Sequence, residues 1–186
     1  MFDAGMEDVE GMIISSGVQA SMPHHKGSGP LHAHKPLVCD LFFRSRSNRY
    51  FADMTRTYVK GTPSDDVRKM HMAVAAAQMA AFAQIRPGVA AADVHAAAAQ
   101  EITDAGFDVG EQGFIHGLGH GLGLQLHELP NVGPNSKDIL EAGHVITVEP
   151  GLYYKEHGGV RLEDVVVVTE HGFENLTDYD SELVVP

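Results

Sequence analysis

Four carboxylates and one imidazole carry the chemistry legible in this chain. Asp40 and Asp53 stand among apolar residues in LVCDLFF and RYFADMTRTYVK, Glu149 closes HVITVE, and Glu163 interrupts GVRLEDVVVVT. His120 sits at the centre of FIHGLGHGLGLQLHELP, flanked by His116 and His127. A buried carboxylate is costly unless it is paired or bound to metal. Each of the five has an ordinary explanation when read singly: Asp53 could pair with Arg56, and a glycine-rich loop can carry incidental histidines. Together they read as ligands. Four carboxylates brought into one core would repel one another strongly, and two divalent cations would neutralise them. An oxygen-rich set with one nitrogen suits Mn2+ or Co2+ ahead of Zn2+ or Fe2+. Carboxylates that bridge two such ions, about 3.5–4 Å apart, would hold a bridging hydroxide beside a polarised carbonyl. That is equipment for hydrolysing an amide.

The elements that must position these groups follow from pattern. Gly117, Gly119, Gly121 and Gly123 leave the backbone bare around His120 and make a poor helix. Residues 113–118 and 122–127 are therefore expected as short strand or loop pieces. Met12–Ser16, Leu37–Phe43 and Arg49–Lys60 read as strands, the last two joined by a turn at Ser45–Asn48. This sets Asp40 and Asp53 on adjacent strands. Ser64 caps a helix with Asp65 and Asp66 in its first turn, running to about Ile85; a second helix runs from about Ala91 or Asp93 to Ala105 and stops at Gly106. His71 and His95 on these helices are expected to be structural or exposed. His144–Glu149, Gly159–Thr169 and Phe173–Leu176 read as further strands. Hairpins, then two helices, then more strands imply an α+β domain with an antiparallel sheet.

Size and charge bound the rest. The 186 residues suit a single domain, and 44% apolar composition allows a real core. A net charge of −12, from 25 acids against 13 bases, speaks against nucleic acid and anionic membrane surfaces as partners. Cys39 has no internal partner, so a reducing cytoplasm is the expected setting. No basic-apolar leader and no long apolar run is present in the sequence. The loop Met22–Pro36 holds His24, His25, His32 and His34 without an acid or cysteine beside them, which makes a separate metal cluster a poor reading.

The motifs DLFFRSRSNRYFADMTRTYVKG, FIHGLGHGLGLQLHELP, VITVEPGLYY and GGVRLEDVVVVTEHGFENLT, taken in this order, resemble the pita-bread metallopeptidases, in the aminopeptidase P and prolidase branch. The likeness runs from about Ile13 onward. It implies the pita-bread fold of creatinase and the aminopeptidases, an antiparallel curved sheet with helices on its outer face. It implies metal ligands at Asp40, Asp53, His120, Glu149 and Glu163, and substrate-side histidines at His24, His116 and His127. Glu149 is expected to handle protons as well, and Arg161 matches the arginine of the family's R-x-E. The activity implied is hydrolysis of peptides with proline after the first residue. The string Arg161-Leu162-Glu163-Asp164 separates the chain from methionine aminopeptidases, and the full ligand set separates it from creatinases.

Two departures stand out. Asp40 and Asp53 are thirteen residues apart, two more than is usual in the family, which a longer hairpin at Arg44–Asn48 can absorb. The chain also starts late for the family. Residues 1–186 are expected to form one catalytic domain without the usual N-terminal helices and N-terminal domain, leaving an apolar face and a homodimer as its expected cover. The alternative expectation is a weakly active or inactive remnant that binds metal or peptide.

Overall fold

The computed structural model describes residues 2–185. Its strands are, in chain order, β1 (Met6–Asp8), β2 (Ile13–Ser16), β3 (Leu37–Asp40), β4 (Phe43–Ser45) and β5 (Thr55–Lys60). The helices α1 (Asp65–Phe82) and α2 (Ala91–Asp104) follow. After them come β6 (Gly119–Gly121), β7 (Glu128–Val132), β8 (Val145–Val148), β9 (Gly151–Tyr154), β10 (Gly158–Arg161), β11 (Asp164–Val168), β12 (Phe173–Asn175) and β13 (Val184–Val185).

The α+β reading holds, but the expected single sheet is two. One has the order β13-β5-β3-β2 and the other β12-β11-β8-β6-β7, with the β9/β10 hairpin and the β1/β4 pair standing apart. All pairings within them are antiparallel except that of β13 with β5. The two sheets meet at a backbone bridge between Thr55 and Glu163, where the Glu163 amide donates to the Thr55 carbonyl at 3.0 Å. The long run expected over 159–169 is therefore broken at Leu162-Glu163. The runs expected over 37–43 and 49–60 are likewise shorter: the segment between the two aspartates folds out as β4 and a turn, and β4 is tied back by pairing with β1. The acidic N-terminal residues carry that strand, which their composition did not suggest.

Both helices form where propensity and capping put them. The Ser64 side chain accepts from the Val67 amide at 3.3 Å, and Asp65 and Asp66 occupy the first turn. Val67, Met70, Val74, Ala77 and Ala81 on α1, with Ala91, Val94, Ala98 and Ile102 on α2, recur at helical spacing and are buried. They join Ile146, Val148, Val160, Val166 and Val168 in the main core. Of the two helical histidines, His95 packs its ring 5.2 Å from that of Phe114 and is buried. A second, smaller cluster of Ile13, Phe42, Leu122, Leu126 and Val165 underlies the site described next.

Candidate metal centre

Each chemistry-bearing side chain sits at or near a strand end on the side where the two sheets meet. Asp40 is the last residue of β3, opposite Ile13 on β2 and Thr55 on β5. Asp53 precedes β5 by two residues, Glu149 directly follows β8, and Glu163 lies in the gap between β10 and β11. His120 is the middle residue of β6, which pairs with β8 through Gly121 and Ile146.

The strand in the histidine stretch is Gly119-His120-Gly121 itself, between the two segments expected as short strand or loop pieces. The reason is close packing of backbone. A Cβ on Gly119 would come 2.0 Å from the Thr147 carbonyl oxygen, and one on Gly121 would come 2.3 Å from that of Leu129. Only glycine lets β6 lie that close to its neighbours.

A cavity of about 350 Å³ opens at this junction. Asp40, Asp53, His120, Glu149, Glu163, Arg161, His24, His116 and His127 all line it. The metal-type donors are tightly grouped: ligand atoms of Asp53, His120 and Glu163 lie within 4.8 Å of one another. His120 Nε2 is 3.5 Å from Glu149 Oε1 and 3.8 Å from Asp53 Oδ2. Its other nitrogen, Nδ1, faces the Gly121 carbonyl at 3.0 Å. A carbonyl only accepts, so Nδ1 carries the hydrogen and the lone pair of Nε2 points at the acids. That second hydrogen bond is the usual way a ligating histidine is oriented.

The electrostatics of the acid cluster are those of a site that wants cations. Asp53 and Glu163 are pushed well above the usual carboxylate range, first by burial and then by the surrounding acids. Glu149 is raised to about 7, chiefly by burial, against the pull of Arg161. Burial takes His120 down to about 4, so its ring is neutral and free to ligate. The outer oxygens Asp40 Oδ1 and Asp53 Oδ1 are buried without a hydrogen-bond partner. Oxygens with unspent lone pairs beside an aimed imidazole fit divalent cations. These residues could hold such ions.

Arg161 organises the near wall. It is buried, donates from Nη2 to Asp40 Oδ2 at 2.6 Å and from Nε to Thr55 Oγ1 at 3.2 Å, and its Nε lies 4.0 Å from Glu149. Its Nη1 donates to Tyr153 Oη at 2.8 Å. Tyr153 in turn donates to His116 Nε2 at 2.9 Å, because His116 Nδ1–H is taken by the Gly117 carbonyl at 2.7 Å. Burial, helped by Arg161, lowers His116 to about 4. His116 is thus a neutral ring whose two nitrogens are both engaged within the protein. His127 is exposed, with its ring 4.1 Å from that of His120, and His24 is exposed on the loop wall. Of the other loop histidines, His25 Nδ1 accepts from the Gly27 amide and His34 Nδ1 from the Thr62 amide.

Sequence reasoning overlooked four supporting groups. Thr55 donates to Glu163 Oε2 at 2.6 Å, and Thr147 accepts from the His120 amide at 3.0 Å and reaches Glu149 Oε1 at 3.4 Å. Strand alternation could have found both, since each is two residues from a ligand. Tyr153 and Lys26 left no such signal. The suggested Asp53–Arg56 pair does not form; Arg56 bonds Asp164 at 2.7 Å instead.

Comparison with known proteins agrees with this geometry. The pattern of Metallopeptidase family M24 matches residues 2–170. The Xaa-Pro dipeptidase of Pyrococcus furiosus is 38% identical over 172 residues, 92% of this chain and 48% of that protein. The crystal structure of dipeptidase PepE from Mycobacterium ulcerans superposes with a TM-score of 0.91 at 40% identity, covering 100% of this chain and 49% of that one. The prolidase of Pyrococcus horikoshii OT3 does so with a TM-score of 0.87 at 36% identity, over 92% of this chain and 48% of that one. The chain spans about half the length of the curated relatives it matches. Its architecture is the pita-bread fold that the motifs implied. On sequence pattern, fold and residue identity alike, the chain belongs to the M24 metallopeptidase family.

Proposed function

We propose that this protein hydrolyses Xaa-Pro peptide bonds, using two divalent metal ions held by Asp40, Asp53, His120, Glu149 and Glu163. One observation carries the reading: the five donors line a single cavity, with the His120 lone pair turned toward the acids and two carboxylate oxygens left without partners. Relatives named Xaa-Pro dipeptidase supply the substrate class. Bound ions, with Mn2+ or Co2+ favoured by the oxygen-rich set, would supply Lewis acidity and a more acidic water.

The chain's own residues do the rest. Glu149 accepts a proton from the attacking water and returns it to the leaving nitrogen. A prolyl amide nitrogen has no hydrogen of its own, so departure depends on that delivery. His127, exposed beside His120, donates to the oxygen of the scissile carbonyl as negative charge grows there. His24 and the apolar side chains of Ile13, Phe42 and Leu126 wall the space for a pyrrolidine ring. Arg161 fixes Asp40, and through Tyr153 fixes His116, whose part is to shape the wall. We place this chemistry in one catalytic domain that works in the cytoplasm as a homodimer. The inactive-remnant alternative has no observation in its favour, since no ligand-type residue is missing.

Metal analysis and an Ala-Pro hydrolysis assay on one purified sample test the proposal. Bound divalent ions with Xaa-Pro cleavage that a chelator abolishes are expected. A metal-loaded protein that leaves Ala-Pro and Ala-Pro-Ala intact would overturn it.

A further inference from the structure

The cavity that holds the acid cluster has two cationic side chains in its lining, Arg161 and Lys26, and they are in different positions to help a substrate. Arg161 is spent. Its donors go to Asp40, Thr55, Tyr153 and the Pro23 carbonyl, and it is 3% exposed. Lys26 is exposed at the cavity mouth. An ammonium has three donors. Two of them go to the backbone carbonyls of Glu10, at 2.6 Å, and Gly11. The third is unspent. The ammonium also stands 5.3 Å from the centre of the Phe42 ring, on an apolar wall of the same cavity.

The ammonium is held in place as well as charged. The Ile14 amide donates to the Lys26 carbonyl at 3.2 Å, and the neighbouring Ile13 pairs with Asp40. The next residue, Gly27, has φ +88°, and a Cβ there would come 1.8 Å from the Ile14 carbonyl oxygen, so the loop lies directly on β2. Arg161 donates to Pro23 in the same loop at 3.3 Å. The strand and the guanidinium that position Asp40 therefore also position Lys26.

We propose that Lys26 is a specificity-determining residue that takes the free carboxylate of a short substrate, so that this site prefers Xaa-Pro dipeptides to longer chains. The inference rests on the Xaa-Pro reading above. Bound ions would neutralise the acids of this cavity, and Lys26 is the exposed cation of its lining, so a free substrate carboxylate is drawn to it. A charge-assisted hydrogen bond from an ammonium to a carboxylate is stronger than one to a neutral carbonyl. A longer peptide presents an uncharged peptide group at that position and gains less. The loop after His127-Glu-Leu-Pro130 contributes Asn131 to the lining and no cation, which leaves the role to Lys26.

Two measurements on the metal-loaded protein test this. The first compares Ala-Pro with Ala-Pro-amide, which present the same scissile bond with and without the charge. The wild type is expected to favour Ala-Pro by about tenfold in KM. In Lys26→Met the two KM values should come within about twofold, and Lys26→Arg should restore the gap. The second is calorimetric binding of the product proline against prolinamide, which needs no turnover. The wild type should favour proline and Lys26→Met should not. Turnover with a preference for Ala-Pro and proline that survives Lys26→Met overturns the role of Lys26 and leaves the Xaa-Pro reading standing. Absence of Xaa-Pro turnover with a Lys26-dependent preference for proline overturns the Xaa-Pro reading and keeps the carboxylate site. No preference for proline in the wild type overturns the carboxylate site outright.

Discussion

Thr55→Val separates a residue that tunes the metal site from one that merely fills space. Thr55 is fully buried, and its hydroxyl donates to Glu163 Oε2 at 2.6 Å while receiving Arg161 Nε at 3.2 Å. Valine keeps the shape and the backbone bridge to Glu163, and removes only the hydroxyl. The loss differs between the two states of the protein. Without metal, burial and its acidic neighbours push Glu163 well above the usual carboxylate range, which favours its protonated form. The hydrogen bond lost there is a neutral one, about 1 kcal/mol, or about 2–4 °C in Tm for a domain of this size. With metal bound, Glu163 is ionised, and the bond lost is charge-assisted, about 1.5–3 kcal/mol. The difference, about 0.5–2 kcal/mol, falls on metal affinity, a weakening centred on about tenfold. Titration calorimetry with Mn2+, paired with melting of the metal-free form, reads both numbers. A Tm loss with Kd within twofold of wild type would refute the argument and make Thr55 a packing residue only.

Three further outcomes are expected. His120→Ala should lose metal and activity together, whereas His127→Ala should keep its metal by elemental analysis and lose about 10²–10³ in kcat; equal metal loss in both would merge their roles. The rise in Tm on adding Mn2+ should grow from about pH 5 to about pH 7. Asp53, Glu149 and Glu163 have folded pKa values raised above their unfolded ones, so the metal-free fold loses the stability they contribute as pH climbs toward the value of about 7 for Glu149. A bound cation cancels that loss, and an increment that shrinks with pH would contradict the sign. Gly119→Ala should lower the denaturant midpoint by an amount equivalent to about 3 kcal/mol, since its Cβ meets backbone on an inner strand; an unchanged midpoint would show that β6 can move away from β8.

What could be read from the sequence was set by how local the cause is. Both helices were legible because Ser64, the aspartates after it and the alanine-rich faces act within a few residues. The ligand-type residues were legible because carboxylates in apolar runs are anomalous whatever lies across from them. Strand limits were less so. The break at Leu162-Glu163 is imposed by Thr55, more than a hundred positions away, and Gly119-His120-Gly121 is a strand because of Thr147 and Leu129 rather than any β propensity of its own. Tyr153 escaped notice for the same reason. Its hydroxyl matters only once a hairpin reversal at Glu156 brings it under Arg161. The pairing of Arg56 with Asp164 rather than Asp53 is likewise a fact of register.

The seam between the two sheets has a consequence for how the chain comes apart. Thr55 and Glu163 are separated by 108 positions in sequence, yet they sit at the place where donors from both sheets face one another. Ions held between Asp53 on one side and His120 and Glu163 on the other would be a cross-link in the polymer sense, closing a very long loop. A covalent link across such a span removes about 4–5 kcal/mol of chain entropy from the unfolded state. Coordination differs in being removable at constant redox potential. A chelator should therefore act on this protein much as a reductant acts on a disulfide-stapled one. It would speed the parting of the halves and expose the seam to proteases, while leaving the two helices, whose buried faces pack in the main core, among the last parts to open.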